Sequence, residues 1–229
     1  MNFFQYYKNP VIRERIAEYC GGSPDNPDSF TAQYLVGYGL ELLREKHIEF
    51  MSAPREYFNY LLEKSLDIYR SVWDIEFTLG VLDIEYFNID DPGAIYKNPE
   101  EIFSLIEPAY AKIREVFARF GLEPLTIMTG QGYHFSFKIS RFSAADKKLE
   151  GIGFVAEKLK KRYQMIKGRR KRAVSIRHGK AFEGMGKVLE YAVHTVMEEL
   201  AGENFAIPCV ITDVSVGKII ARKKRSPVF

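Results

Sequence analysis

The run Val72 to Phe87 (VWDIEFTLGVLDIEYF) constrains this chain most, because it is rich in β-branched and aromatic residues and alternates as a strand does. It breaks the helical spacing of the residues before it, so the fold contains a sheet. Side chains of a strand alternate faces. Leu82, Ile84 and Tyr86 therefore project to one side, and Asp83 and Glu85 to the other. Two carboxylates held close repel, and a half-buried acid costs free energy unless something positive satisfies it. A divalent cation such as Mg²⁺ or Mn²⁺, which takes oxygen ligands, is the economical partner. An edge strand whose acids face solvent is the alternative.

Period and punctuation organise the rest. Pro10 to Tyr19 reads as an amphipathic helix closed by Gly21 and Gly22. The turn formers of residues 21–29 (GGSPDNPDS) hand over to a helix-rich stretch from about Phe30 to Ser71, interrupted near Pro54. Pro99 to Phe120 reads as a helix ending at Gly121, and Leu125 to Ile139 as a hairpin turned at Gly130 to Gly132. Asp146 to Ile166 is expected to form a basic helix, Glu183 to Ala201 a further helix, and Ile207 to Ile220 a final strand. This predicts an α/β chain of α+β type. A helical portion, 1–71, precedes a module, 72–229, in which helices cover one face of a mainly antiparallel sheet.

A net charge of +3 conceals a lopsided distribution. Lys158 to Lys180 holds eleven Lys and Arg and no acid, and Lys218 to Arg225 holds five more. Such concentration is what a polyanion-binding surface requires, although a solvated helix face has the same composition. Lys160, Lys161, Lys167, Arg169, Arg170, Lys171, Arg172 and Arg177 are the expected phosphate contacts. No stretch approaches the roughly 20 apolar residues of a membrane span, and the first seven residues lack the order of a secretory signal, so a cytoplasmic location is expected. Cys20 and Cys209 stand apart from any zinc-ligand spacing and read as buried thiols.

A second motif lies about fifty residues after the acids, in Thr129-Gly-Gln-Gly-Tyr-His-Phe-Ser-Phe137. Its glycines permit a tight turn, after which His134, Ser136 and Lys138 share one strand face opposite Tyr133, Phe135 and Phe137. An imidazole, a hydroxyl and an ammonium beside a glycine turn can hold a triphosphate. A hairpin with a satisfied histidine is the alternative.

Together, V-L-D-I-E and T-G-Q-G-Y-H-F-S-F resemble the archaeo-eukaryotic primase superfamily, whose primase-polymerase domain carries its motifs on an RRM-like sheet. The resemblance implies that Asp83 and Glu85 are metal-binding acids and that His134 contacts the phosphates of an incoming nucleotide. Gly132 stands where that family usually has a Ser. A third acid is expected on a later strand: either Asp213 is that ligand, or it lies beyond Phe229. The implied reaction joins nucleotides on a single-stranded or primed DNA template by two-metal chemistry. Nucleoside triphosphates are the substrates, and a helicase, ligase or other replication or repair subunit the companion. Two other readings stay open: a non-catalytic nucleic-acid-binding module of the same fold, and a metal-dependent nuclease.

Overall fold

The computed structural model describes residues 6–39, 50–157, 175–203 and 205–211, together with 42, 44, 47 and 48. Helices combine with two small antiparallel three-stranded sheets, an α+β architecture. The chain divides into two compact units, Met1–Leu79 with Lys138–Met185, and Gly80–Phe137 with Gly186–Phe229. These units do not coincide with the expected division at residue 71. The dividing points fall inside two long strands and the last helix, so neither unit is one continuous piece of sequence.

The first unit opens with α1 (Pro10–Tyr19), whose first turn is capped by Asn9 accepting from the Val11 N–H at 2.9 Å. The helix-rich expectation for residues 30–71 is corrected. Strands β1 (Leu35–Tyr38), β2 (Phe50–Ala53) and β3 (Asp67–Arg70) form a sheet in the order β2-β1-β3, and only α2 (Phe58–Glu63) is an α-helix of any length there among the described residues. Leu35 pairs with Ala53 and Arg70 on either side. Its side chain is fully buried with Phe30, Phe58, Leu61 and Leu66, each of which contributes roughly 1.5–3 kcal/mol of transfer free energy. Apolar burial thus overrides the helical spacing of the flanking residues.

The second sheet has the order β4-β6-β5, formed by β4 (Phe77–Glu85), β5 (Leu125–Met128) and β6 (Gly132–Ser140). Between β4 and β5 run α3 (Ala94–Lys97) and α4 (Pro99–Arg119). Pro99 fits the first turn of α4, Glu100 and Glu101 suit its positive end, and Gly121 at φ +68° stops it. After β6 come α5 (Ala144–Ile152) and α6 (Ile176–Gly202). In the second unit Ile106, Ile113 and Phe117 of α4 and Ala192, Val196 and Leu200 of α6 bury the Tyr133–Phe135–Phe137 face of β6, with Leu82 and Ile84 of β4 packed against them. One sheet face is thus covered and the other left open, as the alternation predicts.

Two further expectations change. The last helix begins at Ile176 rather than near Glu183, and residues 207–211 are not strand. The expected basic helix from Asp146 to Ile166 is cut short: it ends at Ile152, where Gly153 turns extended, residues 153–156 are not helical, and residues 158–166 lie outside the described residues. No helix among them is long and apolar enough to cross a membrane.

Candidate metal centre

Strand periodicity places the acids. Along β4, Thr78 and Gly80 are buried and Leu82 and Ile84 half-buried, while Val81, Asp83 and Glu85 are exposed. The same rule on β6 buries Tyr133 and Phe135 and turns His134 and Ser136 to the open face. β6 is the central strand, so His134 comes beside the acids of its neighbour. Its Nε2 lies 2.9 Å from Asp83 Oδ1. One ligand atom each from Asp83, Glu85 and His134 falls within 4.8 Å of the others.

The turn before β6 sets this alignment. Thr129 N–H donates to the Gly132 carbonyl at 2.8 Å, and Thr129 Oγ accepts from Gly132 N–H at 3.0 Å. Tyr86 N–H donates to the Gln131 carbonyl at 2.8 Å, which ties the turn to the end of β4. A Cβ on Gly132 would collide with the Ile84 carbonyl oxygen. Gly132 is therefore a packing residue, and the hydroxyl of the resembling family has no room here.

Asp83 is only partly withdrawn from water, yet its carboxyl is pushed above the usual carboxylate range. Desolvation is the main cause, His134 opposes it, and the negative charge of Glu85 adds to it. Such a pair is relieved by a cation. Two carboxylates and one imidazole at this spacing could share one metal ion, and the donor set does not single out which.

The other expected residues are distributed differently. Ser136 lies two residues along β6 on the same face and pairs in register with Leu125. Lys138 is engaged elsewhere, its Nζ 4.5 Å from the centre of the Phe77 ring. Arg177 pairs with Glu150. Asp213 and the basic residues Lys160, Lys161, Lys167, Arg169, Arg170, Lys171 and Arg172 lie outside the described residues. His178, just after the basic run, is buried with its ring 5.4 Å from Trp73, and His194 is exposed on α6.

Sequence reasoning passed over Ile127. The β5–β6 register sets it directly opposite His134, so an exposed apolar side chain flanks the cluster on the open face. The hairpin turn at 130–132 already implied that pairing. A surface hollow of about 440 Å³ lined by Arg114, Ala118, Leu122 and Pro124 holds none of these groups; the acids sit on an open sheet rather than in an enclosed cavity. No protein-family model, curated protein or solved structure matches the chain.

Proposed function

We propose that this chain is a metal-dependent nucleotidyltransferase of the primase-polymerase kind, acting in the cytoplasm on a single-stranded or primed DNA template. One observation carries the reading. Two motifs about fifty residues apart, each weak alone, place Asp83, Glu85 and His134 within 4.8 Å on adjacent strands of an open sheet face.

Asp83 and Glu85 are the residues that would hold the metal, with His134 near enough to share it or to meet a nucleotide phosphate. A bound divalent ion would supply charge stabilisation at the attacking and leaving oxygens of phosphoryl transfer. The chain's own contribution is to hold the carboxylates ready for that ion. Burial makes Asp83 a costly anion in its absence, so binding the ion relieves an existing repulsion. The open face leaves room for a template strand, and the basic runs of the sequence offer phosphate contacts without sequence reading.

The test is incorporation of labelled nucleotide on primed and unprimed single-stranded templates with Mg²⁺ or Mn²⁺, comparing the wild type with Asp83→Asn. Metal-dependent extension that the substitution abolishes is the expected result, and the unprimed template reports whether synthesis also starts without a primer. Strand cleavage in place of extension would make the same acids those of a nuclease. DNA binding without either reaction would leave a binding module.

A further inference from the structure

We propose that Phe142, with Arg141 and Arg177, forms a docking point for single-stranded nucleic acid, the ring stacking on a base while the guanidiniums meet the phosphates beside it. The proposal deepens the reading above and rests on its nucleic-acid component alone.

The argument begins with backbone. Between the end of β6 at Ser140 and the Ser143 cap of α5, Phe142 takes φ +66°, a left-handed conformation that favours glycine and is costly for a bulky residue. The surrounding hydrogen bonds hold it there. Its N–H donates to Asp146 Oδ2 at 2.8 Å, and buried Asp146 accepts the Thr78 hydroxyl at 2.7 Å through its other oxygen. Arg141 is pinned as well, its N–H donating to the Glu76 carbonyl and its guanidinium to the Ile75 carbonyl, both at 2.8 Å. A Phe held this way ought to be buried in compensation. Instead it is 58% exposed.

The surroundings say what the ring meets. The guanidiniums of Arg141 and Arg177 lie over the ring, their carbons 5.1 and 4.9 Å from its centre, so a base that stacks there takes the place of one of them and frees that cation for a neighbouring phosphate. The pairing of Arg177 with Glu150 orients that side chain without burying it. Lys147 and Lys148 are exposed on α5, and Lys180 on α6. Across Lys138 to Lys180 the sequence carries fifteen Lys and Arg against three acids. A polyanion that also presents flat, unpaired π-faces satisfies both halves of this chemistry, and single-stranded nucleic acid is that polyanion. A duplex keeps its bases stacked on one another, which leaves the ring without a partner.

The test is fluorescence anisotropy of fluorescein-labelled oligo-dT over a range of NaCl concentrations. Phe142→Gly suits the backbone at φ +66°, so it should fold at least as well as the wild type, which its thermal midpoint checks. Its affinity for the oligonucleotide should fall about tenfold or more, with the salt dependence unchanged because the phosphate contacts remain. Phe142→Trp should keep wild-type affinity, and Arg177→Ala should lower both the affinity and the salt slope. Unchanged affinity in a folded Phe142→Gly protein, equal affinity for a duplex of the same length, or no binding by the wild type overturns the proposal. Failure here and failure of the catalytic reading are separable. Nucleotide incorporation with binding indifferent to Phe142 sinks only the docking point, and Phe142-dependent binding without incorporation sinks only the polymerase.

Discussion

His134 Nε2 lies 2.9 Å from Asp83 Oδ1, although fifty residues separate the two in sequence. The contact follows from two strand alternations aligned by one glycine turn, and it makes the imidazole and both carboxylates a single electrostatic unit. Whatever binds there must deal with all three at once.

Asp83→Asn separates catalysis from stability. Burial raises the native carboxyl above its unfolded value, so the native state holds its proton more tightly and stability falls as pH rises through that window. Removing the charge should therefore leave the thermal midpoint at pH 7 unchanged or raise it by no more than about 2 °C, since the site is half open to water. Mn²⁺ binding followed by calorimetry should be lost in the same protein. A marked drop in melting temperature would mean that the carboxylate has a structural task instead.

His134→Ala discriminates between chemistries. If the imidazole meets nucleotide phosphate, KM for the nucleotide should rise about tenfold or more, the size of one charge-assisted contact removed. A nuclease whose histidine stands away from the scissile phosphate should be little affected. Steady-state kinetics at fixed metal concentration decide the matter.

Gly132 should tolerate no side chain. In Gly132→Ala the new methyl meets the Ile84 carbonyl oxygen across the β4–β6 ladder, and neither backbone can retreat without breaking it. A loss on the order of 3 kcal/mol, read from urea unfolding, is expected. Gly132→Ser, which would restore the hydroxyl of the resembling family, should fare no better.

His178 gives the fold an acid limit. Burial chiefly, and then the charge of Arg141, push its pKa down from 6.5 to about 4, with Asp146, Asp74 and a hydrogen bond to the Phe77 backbone pulling the other way. The unfolded chain binds the proton first, so stability is complete above about pH 6.5 and is lost as pH falls toward about 4. His178→Gln should flatten that part of the melting-temperature profile. A wild-type profile flat between these values would mean that the ring is not held neutral.

The two strands of the candidate site are legible because period-2 alternation writes a strand's faces directly into the sequence, which gives Asp83, Glu85 and His134 a common exposure. The strands Leu35–Tyr38, Phe50–Ala53 and Asp67–Arg70 are not. Four residues put only two side chains on each face, too few to show a period, and their pairing is decided by distant partners such as Leu35 with Ala53 and Arg70. His178 is hidden for a related reason: the helix starts at Ile176 rather than near Glu183 and so takes in His178, whose ring packs against Trp73.

Within the first unit, a Cβ on Gly153 would strike the Lys180 carbonyl oxygen, and one on Gly184 the Leu149 carbonyl oxygen, so the end of α5 and the start of α6 touch backbone to backbone. In polymer terms this is a clasp that closes the chain between them into a loop. An alanine at either glycine would therefore part both helix ends at once, because each carbonyl it meets belongs to the backbone of the other helix.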